Sequence, residues 1–287
     1  MMEQAQEQGA TLVRERQPAV TADLELRARK IRRHVVRMSS VAGVPHVASA
    51  LSCVDILVAL YFRVARLDPA EPDAPWRDRI ILSKGHASAA LYACLAERGF
   101  FPISRLAEYA RDASLMAEHP ARGSLPGIEV TSGSLGHGLG LGSGLALALR
   151  MDASPARVFA ILSDGECNEG SIWEAALWAP AQALGNLCAI VDFNKLQATG
   201  RSEDITMLAP LREKWESFGW ETFEIDGHSF PQLVAALAAP AAGRPKALVA
   251  HTVKGKGVSF MEDDLEWHYR PPTAAELQRA LADIGAP

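Results

Sequence analysis

The hydrophobic positions of the chain follow two patterns that alternate along its length. Short apolar runs predict buried strands at residues 79–82, 158–162, 187–192, 221–225 and 247–251. Longer stretches with helical periodicity lie around them, at residues 22–41, 52–65, 87–98, 136–150, 171–184, 208–218, 230–239 and 273–284. Short apolar strands that alternate with helices are typical of a parallel sheet with helices on both faces. We therefore expect one α/β domain over residues 21–287, after a flexible segment at residues 1–20.

Composition narrows the class of protein. The chain is 48% hydrophobic and carries a net charge of −5 at pH 7, without the basic stripe that nucleic acid requires. No apolar run reaches the ~18 residues that span a bilayer, and the first twenty residues lack the apolar core of a signal peptide. The four cysteines form no Cys-x-x-Cys pair, which favours a reducing compartment. The sequence thus predicts a cytoplasmic protein that binds neither nucleic acid nor membranes.

Polar or small residues follow every predicted strand. These segments are Ser83-Lys84-Gly85-His86, Asp164-Gly165, Asp192-Phe193-Asn194, Asp226-Gly227-His228 and His251-Thr252. Ligands of open parallel sheets bind at the carboxyl ends of the strands. Together, the five segments predict a polar site along one edge of the sheet.

Asp164 and Asn194 follow neighbouring strands that one predicted helix separates. A right-handed crossover would bring these two strand ends together at the same edge. A carboxylate and an amide oxygen are hard ligands that suit Mg²⁺ or Ca²⁺ and do not suit zinc. The alternative for either residue is an ordinary turn, because Asp, Asn and Gly are common in turns.

The glycine-rich segment at residues 131–150 contains neither G-x-G-x-x-G nor the phosphate loop G-x-x-x-x-G-K-[ST]. Gly136, Gly140 and Gly144 recur every four residues and would line one helical face. Each costs ~1 kcal/mol relative to Ala in a helix, so something needs a close approach there. That partner is either another helix, including one across a subunit interface, or a flat ligand.

The eight histidines form no His-x-x-x-His pair and no Cys/His cluster, so a zinc site is not expected. His86 follows a strand directly and is a plausible donor to a phosphate or a substrate. His34 lies inside an amphipathic helix with basic neighbours, where a structural role is expected.

Several segments resemble the N-terminal half of transketolase, in the order of that family. Asp164-Gly165 and then Asn194 resemble the thiamine diphosphate motif Gly-Asp-Gly…Asn, with Ser163 at the first glycine. RIILSKGHASAALYACLAERGF, PGIEVTSGSLGHGLGLGSGLALALR, GECNEGSIWEAALWA and HTVKGKGVSFMED resemble further family segments. The resemblance covers about residues 25–271 and implies the thiamine-diphosphate-binding fold.

The resemblance also implies roles for individual residues. Asp164, Asn194 and the carbonyl of Leu196 would hold Mg²⁺ or Ca²⁺, and the N–H groups of Gly165 and Glu166 would bind the diphosphate. The other implied contacts are Gly133 and Leu135 with the cofactor rings, His86 and His268 with the diphosphate and the reacting oxygens, and His46 and His119 with the substrate.

The family resemblance predicts a partner as well as a reaction. The chain resembles the N-terminal subunit of a split transketolase. It would act with a C-terminal subunit that supplies the pyrimidine-binding and C-terminal domains, with two copies of each chain. Together they would move a two-carbon ketol unit from a ketose donor to an aldehyde acceptor.

Some residues depart from the family pattern, namely Pro45 before His46, Ser134 in place of a proline, and Tyr269 after His268. These departures affect the substrate channel more than the cofactor site. Two alternatives therefore stay open. One is half of a related thiamine diphosphate enzyme that decarboxylates a 2-oxo acid or transfers a two-carbon unit in a specialised pathway. The other is a non-catalytic binding homologue.

Overall fold

A central sheet of five parallel strands organises the chain. A computed structural model describes the backbone of residues 2–286 and the side chains of residues 18–286. The strands are β1 (Arg79–Leu82), β2 (Val158–Ser163), β3 (Leu187–Phe193), β4 (Glu221–Asp226) and β5 (Lys246–His251). They lie in the order β1-β2-β3-β5-β4, and all neighbouring pairs are parallel. The predicted parallel α/β fold is confirmed, and each predicted strand differs from the observed one by at most one residue at either end.

Helices precede, connect and follow the strands. They are α1 (Met2–Ala42), α2 (Val47–Ser52), α3 (Val54–Ala59), α4 (Ser88–Arg98), α5 (Gly138–Met151), α6 (Gly170–Ala181), α7 (Ser202–Ile205), α8 (Leu211–Ser217), α9 (Phe230–Ala238) and α10 (Ala274–Ile284). The helix predicted over residues 52–65 is wrong in detail. The chain leaves helical geometry at Cys53, and a π-helical turn at Leu60–Val64 follows α3. The short helix α7 was not predicted.

Alternating side chains of the strands enter two separate hydrophobic cores. Phe159 and Ile161 of β2 join the core that α1, α3, α4, α9 and α10 cover. Val158, Ala160 and Leu162 of the same strand join the core under α5, α6 and α8. Both faces of the sheet are therefore buried, which explains why the strands are apolar at nearly every position.

The glycine spacing predicts that Gly140 and Gly144 lie on the packed face of α5. In the structure α5 packs against the sheet through a different face. A Cβ atom at Gly138 would collide with the Ser83 side chain and lie 2.9 Å from Ser83 Cα. At Gly140 and Gly144 nothing lies within 4 Å of the added atom, and both residues are exposed. Gly136 is buried against Ser171 and Glu169. Within the chain, the close approach is therefore made by Gly136 and Gly138, while Gly140 and Gly144 face outwards.

The flexible segment predicted at residues 1–20 lies mostly outside the residues whose side chains are described, and it stays a prediction. Across the described part of the chain, no helix is both long and apolar enough to cross a membrane.

The two kinds of glycine in α5 predict opposite effects on stability. Gly138→Ala should destabilise the chain by about 1–3 kcal/mol, the usual cost of overpacking, because the methyl group would displace the end of β1. Gly140→Ala should instead stabilise it by up to ~1 kcal/mol, because the methyl group meets open space in a helix. Urea unfolding of both variants gives the two values, and equal effects would contradict the packing described for α5.

Candidate active site

A cavity of about 270 Å³ opens at the carboxyl ends of the central strands. Its lining consists of His46, Ser49, His86, His119, Gly133, Leu135, Ser163, Asp164, Gly165, Asn194, Leu196, Gln197, Ala198, His268 and Tyr269. The structure thus brings together every predicted site residue except Glu166. These residues come from segments that are far apart in the sequence, and the fold around the parallel sheet brings the segments to one edge.

Asp164 is the buried acid of the cavity. Its side chain follows β2 and accepts hydrogen bonds from Gly165 N at 2.8 Å, Lys195 N at 2.7 Å and Ser202 Oγ at 2.9 Å. Burial raises the pKa of this carboxyl group above its usual range, because a charge is poorly solvated there. The loop after β3 therefore reaches Asp164, as the predicted crossover required, since β2 and β3 are neighbours.

Asn194 and Leu196 line the same cavity as Asp164. Asn194 Oδ1 accepts a hydrogen bond from Leu196 N at 3.1 Å. Among the described residues, no group of three or more His, Cys, Asp or Glu side chains could hold a metal ion. A cation at this place would therefore rely on amide and carbonyl oxygens next to one carboxylate, which is the ligand chemistry of Mg²⁺ and Ca²⁺.

Another side of the cavity is formed by the backbone at Gly133, which packs against Gly85. Gly133 has a φ of +149°, and a Cβ atom on it would lie 3.0 Å from His119 Cδ2. A Cβ atom on Gly85 would lie 2.7 Å from Gly133 N, so the backbones of the two loops are in direct contact. A side chain at either glycine would collide with the facing loop or push the two loops apart. Leu135 also lines the cavity.

Glu166 lies behind the cavity and not in it. Its fully buried carboxylate accepts hydrogen bonds from Ser83 Oγ, from Gly136 N at 2.9 Å and from Ser163 N at 3.3 Å. Its own N–H, which the family resemblance assigned to the diphosphate, donates to Ser163 Oγ at 3.1 Å. In this structure Glu166 therefore ties the ends of β1 and β2 to the start of α5.

Four histidine rings surround the mouth of the cavity. The His46 ring lies 5.3 Å from that of His86, 5.2 Å from that of His268 and 6.3 Å from that of His119, measured between centroids. Burial, with the nearby Lys84 charge, holds the pKa of His86 well below its usual value. Burial and the Lys254 charge lower the pKa of His268 to about 3. Both rings are therefore neutral at pH 7, and each can offer one donor and one acceptor.

Comparison with known proteins shows the family of the chain. Residues 25–286 match the family model described as transketolase, thiamine diphosphate binding domain. The chain belongs to the transketolase family.

Two bacterial relatives match this transketolase chain over nearly their whole length. It is 41% identical over 264 residues to the 6-deoxy-6-sulfo-D-fructose transketolase subunit SqwG of Clostridium sp., covering 91% of this chain and 96% of the relative. It is 42% identical over 265 residues to one subunit of the apulose-4-phosphate transketolase of Actinobacillus succinogenes, again covering 91% and 96%. These matches identify it as the N-terminal, thiamine diphosphate-binding subunit of a split transketolase.

Solved transketolase structures share the fold. The chain superposes on transketolase from Leishmania mexicana with a TM-score of 0.86 and 26% identity, covering 91% of this chain. It spans 41% of the length of that protein.

The cavity of this transketolase chain fits the cofactor that the family binds. Asp164 is a buried carboxylate with no ion-pair partner among the described residues, and a divalent cation would stabilise it. The neutral histidines provide donors for an anionic diphosphate, and the positive charge of the buried Lys254 beside His268 favours an anion nearby. The absence of side chains at Gly85 and Gly133 leaves room for the flat rings of the cofactor.

Lys254 belongs to the site as well, although it was not predicted from the sequence. Its buried Nζ contacts Leu196 O at 3.2 Å, Gln197 O at 3.3 Å and His268 Nδ1 at 2.6 Å. Burial lowers the pKa of Lys254 to about 8, so the ammonium form still predominates at pH 7. An ammonium group only donates, so His268 Nδ1 accepts and its Nε2 carries the proton. Lys254 thus links the carbonyl of the expected metal ligand Leu196 to a histidine of the cavity.

A buried ion pair beneath the cavity was not predicted either. Lys84 Nζ lies 2.5 Å from Asp192 Oδ2, and both side chains are fully buried. Although burial disfavours both charges, each partner stabilises the other, so the pKa of Lys84 is raised and that of Asp192 is lowered. The sequence does contain one sign of this pair. A lysine stands two residues after a buried apolar strand, where a charged residue is unusual.

Breaking this ion pair should be costly. Asp192→Asn leaves the Lys84 ammonium buried without its counter-charge, so we expect a loss of about 3–5 kcal/mol in the free energy of unfolding. The double variant Lys84→Met/Asp192→Leu should recover most of that loss, since no uncompensated charge remains. Glu108→Gln, at the partly exposed pair with Arg105, is the control and should have little effect. Urea unfolding measures all three, and a mild effect of Asp192→Asn would show that the pair is not a structural requirement.

Proposed function

We propose that this subunit binds thiamine diphosphate with Mg²⁺ (or Ca²⁺) and that, with a second and different chain, it transfers a two-carbon ketol unit from a ketose to an aldehyde. The observation that carries the proposal is the juxtaposition of Asp164, Asn194 and Leu196 with the four-histidine mouth in one cavity. The second chain would be a C-terminal transketolase-like subunit with the pyrimidine-binding and C-terminal domains, and two copies of each chain would assemble.

The proposal assigns a binding or catalytic role to each group of residues in the cavity. Asp164, Asn194 and the Leu196 carbonyl would hold the divalent cation, which would neutralise charge on the diphosphate. Gly165, His86 and His268 would bind the diphosphate, with Gly133 and Leu135 against the rings, whereas Glu166 would support the cavity from behind. Thiamine diphosphate, when bound, supplies the nucleophilic carbon for cleavage and formation of the C–C bond. His46 and His119, with His86 and His268, would bind the reacting oxygens and move protons.

An exposed apolar surface supports the need for other subunits. Leu141 on α5 is 49% exposed, and Leu177 and Trp178 on α6 are 63% and 39% exposed. A second cavity of about 590 Å³ lies at these helices, and Leu141, Trp178, Gly140 and Glu174 are among its lining residues. Contiguous apolar patches are rare on monomers, so this surface is where we expect subunit contacts.

The substrate is a sugar or keto compound whose identity differs among relatives. One relative is named for 6-deoxy-6-sulfo-D-fructose and another for apulose 4-phosphate. In this chain the Tyr269 ring lies 4.6 Å from His268 and 5.7 Å from His46, and it is 63% exposed at the mouth. We propose that Tyr269 shapes the substrate channel. A cytoplasmic location fits the four buried free cysteines.

Activity should depend on the partner. The chain alone, given thiamine diphosphate, Mg²⁺ and a ketose donor, should show no ketol transfer, while addition of the C-terminal subunit should give turnover. The donors to test are 6-deoxy-6-sulfo-D-fructose and apulose 4-phosphate, the compounds named for two relatives, with a panel of aldehyde acceptors, followed by other ketoses. Release of CO₂ from a 2-oxo acid is measured in parallel. Robust turnover by the single pure chain would refute the two-chain proposal, and CO₂ release without ketol transfer would favour the decarboxylase alternative.

Cofactor binding should depend on Asp164. Asp164→Ala and Asp164→Asn should weaken Mg²⁺-dependent binding of thiamine diphosphate by more than ~100-fold. Loss of a metal ligand should exceed the 10–100-fold effect typical of outer-shell residues. The control is Asp152→Ala, an exposed acid at the end of α5. Calorimetric titration into the assembled complex measures binding, and equal affinity in wild type and Asp164→Asn would contradict the metal assignment.

A further inference from the structure

His46 occupies a constrained position at the mouth of the cavity. Its backbone has φ 69° and ψ 13°, in the left-handed region that few residues other than glycine adopt. Its N–H donates to His268 O at 2.9 Å, and α2 begins at the next residue. Backbone strain of this kind persists where the surroundings fix the conformation, and it is concentrated at functional sites. The main chain therefore fixes the position from which the His46 side chain extends.

One carboxylate fixes the protonation pattern of that ring. Glu118 Oε1 lies 3.0 Å from His46 Nδ1. An ionised carboxylate only accepts hydrogen bonds, so Nδ1 carries the proton and Nε2 presents a lone pair. Among the described residues, His46 Nε2 has no hydrogen-bond partner within the chain and is not sealed from solvent, and the ring lines the cavity. His46 Nε2 is thus available to accept a hydrogen bond from a molecule in the cavity.

The loop that carries Glu118 is anchored to α4. Ser88 Oγ donates to the carbonyl of Glu118, and Tyr92 Oη donates to the carbonyl of Ala117 at 3.0 Å. Ser88 and Tyr92 are both fully buried. The Glu118 carboxylate therefore approaches His46 from a rigid support, even though its side chain is 29% exposed.

His268, which neighbours His46, has the opposite protonation pattern. His268 Nδ1 accepts from the Lys254 ammonium, so its Nε2 is a donor. The two rings are 5.2 Å apart, close to perpendicular. The cavity mouth therefore combines an acceptor nitrogen on His46 with a donor nitrogen on His268. That combination matches a substrate that carries a hydroxyl group next to a carbonyl group.

We propose that Glu118 is a positioning residue that keeps His46 in its Nδ1–H tautomer, so that Nε2 takes the proton of a substrate hydroxyl group. The hydroxyl oxygen keeps the electron pair of its O–H bond, and the imidazolium ion that forms is stabilised by the Glu118 carboxylate. His268 Nε2–H donates to the adjacent substrate oxygen. This inference rests on the proposed ketol transfer and adds to it a residue for which the family resemblance implied no role.

The charges around His46 agree with this assignment. Burial lowers the pKa of His46, and the hydrogen bond and charge of Glu118 partly offset that shift. The other titratable groups that face His46 are His86, His119, Lys254, His268 and Tyr269. At pH 7 His46 is therefore neutral and available as a base. A base of this kind is active above its pKa and loses activity as the pH falls through it.

Two variants of Glu118 separate the hydrogen bond from the charge. Glu118→Met removes the acceptor and the charge with little change in side-chain length, and Glu118→Gln removes the charge and retains an oxygen acceptor. The matched control is Glu97→Gln, at a second His–Glu pair in which His34 Nε2 lies 2.8 Å from Glu97 Oε1, away from the cavity. Nitrogen-15 NMR of the full chain reads the tautomer of His46, with its signals assigned by their loss in His46→Gln.

In the wild type, NMR should show a protonated Nδ1 and a free Nε2 on His46, and Glu118→Met should lose that preference. In the assembled enzyme, Glu118→Met should lower kcat by about 10–100-fold with less than about a 3-fold change in KM, the scale of misdirected general-base catalysis. Glu118→Gln should lose less, and the acid limb of its kcat/KM profile should move to lower pH, because the pKa of His46 falls without the carboxylate. Glu97→Gln should match the wild type in all three measurements.

The inference is overturned if His46 shows the Nε2–H tautomer in the wild type, or if Glu118→Met leaves its tautomer unchanged. It is also overturned if the pH profiles of both Glu118 variants coincide with that of the wild type. A wild-type complex that performs no ketol transfer would refute the proposed function instead. The tautomer measurement would still decide whether Glu118 controls His46.

Discussion

The site depends on one buried ion pair, Lys84 with Asp192. It joins the carboxyl ends of β1 and β3 underneath the cavity, where water cannot screen the charges. Lys84 also donates to Ser49 O at 2.9 Å, and Asp192 accepts from Ser52 Oγ at 2.6 Å and from Thr252 Oγ1. The pair therefore connects two strand ends, α2 and the segment after β5. Those same segments present His86, His46, Asn194 and Lys254 to the site.

The charges of the cavity are balanced only in part by the chain itself. Lys84 is neutralised by Asp192, while Lys254 and Asp164 have no direct ion-pair partners in the described part of the chain. Burial shifts the pKa of Lys254 down and that of Asp164 up, which shows that both charges are poorly stabilised by the protein. An anionic diphosphate together with a divalent cation would stabilise both. This electrostatic imbalance supports the proposal that the two ligands bind together.

The histidines illustrate how identical side chains acquire different chemistry. His46 contacts a carboxylate through Nδ1, whereas His268 contacts an ammonium group through the same atom. Each partner forces the ring nitrogen that it contacts to donate or to accept, and the second nitrogen takes the opposite role. The residues that contact the far nitrogen of each ring, Glu118 and Lys254, thus set the donors and acceptors at the cavity mouth.

The sequence alone determined the fold class, the strand positions and the edge at which the site lies, because strand periodicity and polar strand ends are local properties. The family motif further placed Asp164, Asn194 and Leu196 together. The sequence could not determine that Gly140 and Gly144 face outwards, since the spacing of glycines leaves the buried face of a helix undefined. Nor could it pair Lys84 with Asp192, Lys254 with His268 or Glu118 with His46, which are 108, 14 and 72 residues apart. Only the folded sheet brings these groups within hydrogen-bonding distance, and it is their contact that fixes charge and tautomer.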